Sequence, residues 1–391
     1  MMNKGYRILF LGANKPESQA LWQLLAQQVQ ELGINPDEWL QRWHTEDYKK
    51  ARAQGEIPLP LAVIYWGNQT QTDLDTLQHI AGQGIPLFPI VSKNDKDTIK
   101  EELPVVCQDF QCTFQDQPDW RARLANSILE SLSLLRDRRR VFISYKRDEA
   151  SAVAHQLFDA LNGVGYRPFL DTAEITPGKA FQPLLMQQLV DSDLLILLDS
   201  PGISQSDWVK KELDQAEDQS IDILYMIWPN KITASPERKI RESLALGTQD
   251  FVGDTTKNVQ LHPGTLARIL TQVEKMRART VGRRMVSLQN HCRDAAAASG
   301  LTALFQPDGL MLQKNGAPRA WLRVIVGIPG SRDFHALHQS LPKLPVKMTA
   351  MYYNGSGIDS DWKAHLQWLN QELPDYSLDE NTLPDWLGCV P

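Results

Sequence analysis

The sequence predicts an α/β protein whose central domain is flavodoxin-like, with a parallel β-sheet flanked by helices. Short apolar runs, for example Val141–Ser144 and Leu194–Ser200, alternate along the chain with amphipathic segments of helical length. Such alternation is typical of parallel strands that are joined by right-handed crossovers. Polar residues end both runs, and in a parallel sheet the carboxyl ends of the strands gather at one edge, where ligands bind. We therefore expect a ligand site in the middle of the chain.

The composition is that of an ordinary globular protein. The chain of 391 residues is long enough for about two or three domains that each bury a core. The net charge of -6 argues against a dominant surface for nucleic acid or anionic membranes. No apolar run approaches the ~20 residues that span a bilayer, and the first residues lack the cleavage site of a signal peptide. We expect a cytoplasmic protein without a membrane partner.

The residues that could bind a metal do not form a metal-binding pattern. Cys107 and Cys112 are too far apart for a CxxC pair, and no second pair completes a zinc site. His335 and His338 lie near Asp333 but match no known ligand spacing. We therefore expect free thiols in a reducing compartment and no bound metal.

Residues 1–135 are predicted to form an α/β domain of the flavodoxin or receiver type. The predicted strands are Tyr6–Leu11, Leu61–Tyr65 and Ile85–Val91, and the predicted helices are Ser18–Leu32 and Asp73–Ala81. The segment after the first strand lacks a phosphate-binding glycine pattern, and we find no acidic pair with a strand-end lysine of a working phosphorelay receiver. We interpret this domain as a scaffold or sensing module, while a ligand contact by Asn14 or Lys15 stays an alternative.

The stretch Val141–Trp228 brings polar residues to the predicted carboxyl edge of the central sheet. The residues that end or follow its strands are Ser144, Tyr145, Lys146, Arg147, Asp171 and Ser200. The helix after the third strand carries Trp208 and Glu212, whose spacing of four residues places both side chains on one face. Taken alone, this pattern also fits an exposed glutamate and a tryptophan that packs the helix onto the sheet.

Three motifs in this stretch resemble those of the TIR (Toll/interleukin-1 receptor) domain. Phe142–Tyr145 (FISY) is similar to its first box, Phe169–Phe181 to its second strand and BB loop, and Ser206–Glu212 (SDWVKKE) to the segment that carries the glutamate of NAD-cleaving members. The pattern is most similar to the catalytic TIR domains of bacterial defence proteins and of the animal axon-degeneration NAD hydrolase. The resemblance covers residues 138–278. A degenerate second TIR-like unit is an alternative for residues 1–135, which begin with the same strand and helix.

The resemblance implies that Glu212 is the catalytic residue of an enzyme that takes NAD+ as its substrate and needs no cofactor. A carboxylate near the ribose would stabilise the oxocarbenium-like sugar that forms when nicotinamide leaves. The substrate-binding residues that the resemblance implies are Ser144, Tyr145, Lys146, Arg147, Asp171 and Trp208. It also implies self-assembly through the BB loop, here Ile175, Pro177 and Gly178, in which proline and glycine shape a turn.

Residues 280–391 are predicted to form a small α+β domain of unknown role. The predicted strands are 310–313, 321–326 and 346–353, and the predicted helices are 286–299 and 361–369. The loop Gly316–Pro318 between the first two strands predicts a hairpin. The tryptophans of this region form either a hydrophobic core, which we favour, or a ligand pocket; they are Trp321, Trp362, Trp368 and Trp386.

The leading functional hypothesis is an NAD+ hydrolase of antiphage defence or a related cell-death response. We expect it to be activated by self-assembly and to meet a trigger-sensing partner through either flank. A non-catalytic adaptor that acts by homotypic association is the first alternative, although adaptors usually lack a glutamate at the position of Glu212. The second alternative is a synthase of a cyclic ADP-ribose signal for a separate effector. Hydrolase and synthase share one oxocarbenium state and differ in the nucleophile that captures it.

Overall fold

The computed structural model describes most of the chain, in two compact units. The described residues are 5–12, 15–55, 57, 59–67, 71–170, 181–203, 206–229, 242–253, 259–306, 309–340, 345–346, 348–373 and 376–391. The first unit comprises Met1–Asp137 and the second Arg138–Pro391. Each unit has its own hydrophobic core and is described by itself.

The first unit contains a five-stranded parallel sheet in the order β2-β1-β3-β4-β5. Its strands are β1 (Tyr6–Leu11), β2 (Leu40–Trp43), β3 (Leu61–Trp66), β4 (Leu87–Val91) and β5 (Thr113–Phe114), and its helices are α1 (Lys15–Glu31), α2 (Pro36–Trp39), α3 (Thr45–Ala53), α4 (Gln71–Gly82), α5 (Lys96–Glu102) and α6 (Trp120–Ser131). This strand order is that of the flavodoxin fold. The predicted α/β fold of this region is therefore confirmed.

Strands β1 and β3 of the first unit are buried along their whole length. One face packs Leu9, Leu11 and Val63 against Tyr48 of α3 and Leu77 of α4. Helices cover both faces of a parallel sheet, so such strands are continuous apolar runs and do not alternate with polar residues. This is the physical reason that β1 and β3 can be recognised in the sequence.

The first part of the second unit has the same topology. Its elements are β6 (Arg140–Ser144), α7 (Arg147–Gly163), β7 (Arg167–Leu170), α8 (Phe181–Val190), β8 (Leu194–Asp199), α9 (Asp207–Asp218), β9 (Ile223–Ile227), β10 (Glu242–Ala245) and a short antiparallel pair, β11 (Phe251–Val252) and β12 (Gln260–Leu261). The parallel sheet has the order β10-β9-β8-β6-β7. Counted from β6 in chain order, this is again the flavodoxin arrangement.

A single helix, α10 (Pro263–Ala298), connects the two sheets of the second unit. It has 36 residues and is therefore about 54 Å long. Ile269 and Val273 pack in the core beneath β6 and β8, whereas Cys292 and Ala296 pack in the core of the following sheet. The helix that we predicted at 286–299 is the last part of α10. Gly282 lies before it, but one glycine does not end a helix. Helix α10 passes through the predicted domain division at 278–280, and that division stays a prediction.

The C-terminal sheet follows α10. Its elements are β13 (Thr302–Gln306), β14 (Gly309–Lys314), β15 (Ala317–Val324), α11 (Ser331–Ser340), β16 (Met348–Tyr352), α12 (Ser360–Glu372), β17 (Tyr376–Leu378) and α13 (Leu383–Gly388). The strands lie in chain order, antiparallel from β13 to β15 and parallel from β15 to β17. The predicted hairpin is present, but its turn is Asn315-Gly316, with φ of 52° and 78°, and Pro318 lies within β15. Asparagine followed by glycine suits a tight hairpin turn because both residues tolerate positive φ.

The tryptophans of the C-terminal sheet do not share one pocket. Trp321 packs with Phe334 on one face, and Trp386 packs with Leu322 in the core on the other face. Trp368 of α12 is 52% exposed. The core interpretation therefore holds for Trp321 and Trp386.

The C-terminal sheet and its connections pack against the amino edge of the β6–β10 sheet, where those strands begin. Asp191, just before β8, accepts a hydrogen bond from the backbone N–H of Ile328 (3.0 Å) and pairs with Arg140 (2.9 Å). Arg138 pairs with Asp333 at 3.3 Å. The amino edge of the β6–β10 sheet, opposite the carboxyl ends of its strands, is thus covered by protein.

A buried ion pair holds α10 at this amino edge. The side chains of Arg277 and Asp193 are both 0% exposed, and Arg277 Nε lies 2.8 Å from Asp193 Oδ2. About two turns further along α10, Arg284 donates hydrogen bonds to the carbonyl oxygens of Val190 and Ser192, at 3.0 and 2.8 Å. Because water does not reach these buried charges, neighbouring protein groups compensate them.

We predict that Arg277→Met strongly destabilises the second unit, because it leaves the carboxylate of Asp193 buried without its cation. Removing one partner of a buried ion pair costs about 3–5 kcal/mol. The matched control is Arg279→Met on the same helix, whose pair with Glu242 is half exposed and contributes less than about 1 kcal/mol. Chemical denaturation of the full chain measures both variants, and equal losses would contradict the prediction.

Asp250 provides a test of pH dependence. Its buried carboxylate accepts hydrogen bonds from Thr265, from the N–H of Gly247 and from Arg268. Burial raises the pKa of Asp250, but these hydrogen bonds and the charge of Arg268 together hold it below its ordinary value. A lowered folded-state pKa contributes stability above the unfolded-state pKa, and this contribution is lost as the pH falls through the folded-state value.

We therefore predict that Asp250→Asn lowers the melting temperature at pH 7, and that the difference from wild type shrinks as the pH is lowered towards 3. Below the unfolded-state pKa of Asp250, the unfolded wild type binds a proton more readily than the folded protein does, so the stabilisation by this carboxylate declines. Thermal melts across this pH range measure the difference. A gap of constant size would show that the charge of Asp250 is not what stabilises this turn.

Candidate functional site

The candidate site lies at the carboxyl edge of the β6–β10 sheet. Ser144 is the last residue of β6, and Glu212 lies in the second turn of α9. Both residues are 0% exposed, and Ser144 Oγ donates a hydrogen bond to Glu212 Oε2 at 2.5 Å. The structure thus joins two residues that are 68 positions apart in the sequence.

Helix α9 places Glu212 on an otherwise apolar face. Val209, Leu213 and Ala216 of this helix pack with Phe142 of β6 in one core cluster. Ser144 follows Phe142 by two residues, so both point to the same face of the sheet. A carboxylate at a core position is costly unless it is hydrogen-bonded, and Ser144 supplies such a bond. A polar group that breaks an apolar pattern in this way is typical of a functional site.

Helix α9 begins with a serine N-cap. The hydroxyl of Ser206 accepts a hydrogen bond from the N–H of Val209 at 3.4 Å. Asp207, the next residue, is the first helical residue. Serine and aspartate are both favoured at this position, and only the backbone geometry decides between them.

The three predicted residues after Ser144 have different surroundings. Tyr145 is buried in the core on the opposite face of the sheet, with Ile143. Lys146 is partly exposed, and its Nζ lies 2.6 Å from Glu149 Oε1. Arg147 is exposed and forms no ion pair with any residue in the described ranges. The structure therefore brings Ser144 to Glu212, but it does not bring Tyr145 to the same face.

Glu149 is a residue of this region that the sequence analysis missed. Its carboxylate accepts hydrogen bonds from Lys146 and from the backbone N–H of Gly202, at 2.6 and 3.0 Å. Burial raises its pKa, but hydrogen bonds from Lys146, Ser200 and Gly202 and the charge of Lys146 together lower it. In the sequence it is one of two acidic residues in the first turn of α7, a common place for them. Nothing in the neighbouring sequence distinguishes Glu149 from an ordinary acidic residue at the start of a helix.

The remaining predicted site residues cannot be placed. Asp171, Ile175, Pro177 and Gly178 lie outside the described residues, and so does the side chain of Trp208. Their roles in substrate binding and assembly stay predictions.

The sheet of the first unit lacks a similar polar pair at its described carboxyl edge. Its first strand, β1, ends in Leu11, which is 1% exposed and packs with Leu77 of α4 in an apolar core. Helix α4 follows the third strand of its sheet in chain order, as α9 does in the second unit. Two sheets of the same topology therefore differ at this position, and a serine–glutamate pair is described in the second one.

A shallow groove of about 440 Å³ lies between α8 and α9, apart from the Ser144–Glu212 pair. The residues that line it are Pro183, Met186, Lys211, Asp214, Gln215 and Asp218. Glu212 does not line this groove, since its side chain points into the core. The groove is therefore separate from the candidate site.

The described part of the chain contains no arrangement typical of a metalloprotein. No three histidine, cysteine, aspartate or glutamate side chains within it come together in a way that could hold a metal ion. The four cysteines are free thiols, and burial, with a smaller effect of Cys112, raises the pKa of Cys107 to about 12. None of the described helices combines the length and apolar character that a membrane crossing needs.

Comparison with known proteins identifies one segment. Residues 141–257 match the sequence model of the TIR domain family. The chain is also similar to the TIR domains of the activated Roq1 resistosome, which directly recognises the pathogen effector XopQ, at 23% identity and a TM-score of 0.22. That match covers 23% of this chain and 57% of the Roq1 chain, so this chain spans little more than half of that protein's length.

A second similarity is to a periplasmic sugar-binding protein of an ABC transporter from Legionella pneumophila. Its identity is 12% and its TM-score 0.19, over 73% of this chain and 93% of the transporter chain. No protein with a curated function matches the sequence. TM-scores this low carry no argument about fold or function, so the assignment depends on the family match and on the topology of the β6–β10 sheet. Residues 141–257 of this chain are therefore a TIR domain.

Proposed function

We propose that this protein is an NAD+ nucleosidase that cleaves the bond between nicotinamide and ribose. The observation that supports this most directly is Glu212, a carboxylate at a core position of the TIR domain, hydrogen-bonded to Ser144 at the carboxyl edge of the sheet. The products are nicotinamide and ADP-ribose, or its cyclic form. Depletion of NAD+ would serve an antiphage defence or cell-death response.

The proposed chemistry needs little from the protein. Nicotinamide is a cationic leaving group, and its departure leaves an oxocarbenium-like ribose, as in glycoside hydrolysis. A preorganised negative charge at this point stabilises the transition state more than the substrate. Water that captures the ribose gives ADP-ribose, and capture by a nitrogen of the adenine gives a cyclic product.

Arg147 is the residue that we propose for the pyrophosphate. Lys146 follows the same strand, but its ammonium group is paired with Glu149. Arg147 is exposed and has no such pair in the described ranges. A guanidinium group can bind a phosphate through two parallel hydrogen bonds.

The burial of Glu212 supports activation by assembly. Its side chain is 0% exposed, so a ribose cannot reach the carboxylate in the arrangement described here. We therefore propose that self-association of TIR domains, through the BB loop with Ile175, Pro177 and Gly178, moves the neighbouring segments and opens the site. A trigger-sensing partner would act through the first unit or the C-terminal sheet.

The same burial favours one alternative. If Glu212 is only a hydrogen-bond acceptor that fastens α9 to β6, the protein would be a non-catalytic adaptor that acts by association. A synthase of a cyclic signal is a variant of the leading proposal, because it differs only in the nucleophile.

We predict that Glu212→Gln lowers nicotinamide release from NAD+ by about 10²–10³-fold, the usual loss when one preorganised electrostatic group is removed. The matched control is Glu217→Gln, an exposed glutamate on the same helix, which should keep wild-type activity. Release is measured at low and high protein concentration and after forced clustering, with the ADP-ribose products resolved. Wild-type protein that stays silent after clustering would establish the adaptor alternative.

We further predict that Ser144→Ala reduces both stability and turnover. The buried carboxylate of Glu212 loses a hydrogen bond, which costs about 1–3 kcal/mol. If Ser144 acts through Glu212, the turnover of the double variant with Glu212→Gln should equal that of Glu212→Gln alone. Additive losses of turnover in this double-mutant cycle would mean that Ser144 acts on the substrate directly.

A further inference from the structure

Glu149 connects two loops at the carboxyl edge of the TIR sheet. Lys146 belongs to the turn between β6 and α7, and Gly202 belongs to the loop between β8 and α9. The carboxylate of Glu149 accepts a hydrogen bond from each of them. We call this three-residue arrangement, Lys146, Glu149 and Gly202, the Glu149 clamp.

The backbone of Gly202 lies directly against the Lys146–Glu149 ion pair. A methyl group added at Gly202 would meet the carboxylate of Glu149 and the ammonium group of Lys146, so these side-chain ends would have to shift. A side chain at position 202 would therefore disturb the clamp.

The clamp acts on the segment that leads to the proposed catalytic residue. The loop it holds begins after Asp199 and leads to the N-cap of α9 at Ser206, six residues before Glu212. The face of α9 that carries Glu212 is fixed by its apolar core contacts. The clamp adds a polar constraint on the segment that leads into α9.

We propose that Glu149 is a positioning residue of the NAD+ nucleosidase. It holds the β8–α9 loop in place through Gly202, and its charge sets the rate of turnover without contact to the substrate. This inference rests on the proposed function. A misplacement of about 1 Å next to a reacting group is enough to cost up to about a hundredfold in rate.

The test uses the full chain and three variants. Glu149→Gln keeps the shape but removes the charge, and Gly202→Ala disturbs the clamp from the opposite side. Asp148→Asn is the matched control, because it removes an exposed neighbouring charge from the same helical turn. Clustered protein is assayed for nicotinamide release across NAD+ concentrations, and hydrogen exchange is followed at the amide of Gly202 in the wild type, Glu149→Gln and Asp148→Asn.

We expect Glu149→Gln and Gly202→Ala each to lower kcat about ten- to a hundredfold, with KM within about twofold of wild type. The Gly202 amide should exchange at least about tenfold faster in Glu149→Gln, because it loses a charge-assisted hydrogen bond. Asp148→Asn should behave like wild type in both measurements.

Two results would overturn the inference. Unchanged exchange at Gly202 in Glu149→Gln would show that the clamp does not hold the loop. Faster exchange with unchanged kcat would show that the loop's position does not matter for turnover. Hydrogen exchange needs no NAD+, so it tests the clamp independently of the proposed function. If the wild type releases no nicotinamide after clustering, the proposed function fails and Glu149 has no positioning role, whatever the exchange shows.

Discussion

The second unit depends on one buried charge interaction, the pair between Asp193 and Arg277. Both side chains are fully buried, so water does not compensate either charge, and removing one partner leaves the other charge buried without it. Asp193 precedes the central strand β8, and Arg277 lies near the middle of α10. The pair therefore fixes the position of a 36-residue helix whose two halves belong to two hydrophobic cores. Through this helix the TIR domain and the C-terminal sheet form one compact unit.

The two edges of the TIR sheet consequently have different roles. The amino edge is closed by ion pairs and hydrogen bonds to the C-terminal sheet, such as those of Arg138 and Asp191. The Ser144–Glu212 pair lies at the carboxyl edge. A C-terminal sheet at the amino edge does not cover the Ser144–Glu212 pair. The C-terminal region also contacts the end of α9, where Gln219 donates a hydrogen bond to the backbone carbonyl of Ser356 at 3.0 Å.

The carboxyl edge combines features that favour function over stability. Glu212 occupies a helix face that Val209, Leu213 and Ala216 otherwise make apolar. A hydrophobic residue there would pack without a hydrogen-bond partner, whereas the carboxylate needs Ser144. Nearby, Gly202 and Glu149 replace side-chain packing by close polar contacts. Local departures from good packing that the surrounding fold compensates are expected where a protein binds or reacts.

The sequence alone determined the α/β class, the buried strands and the TIR motifs, because these depend on local periodicity and on short residue patterns. It missed β2, a four-residue edge strand with the polar residues Gln41 and Arg42, because such a strand has no apolar pattern of its own. It also indicated Glu212 but not its hydrogen bond to Ser144, and it gave no sign of Glu149. Contacts between residues far apart in the chain are decided by how strands and helices pack in three dimensions. The continuous α10 and its buried ion pair could not be predicted for the same reason, since only the tertiary structure shows which charged side chains are buried away from water.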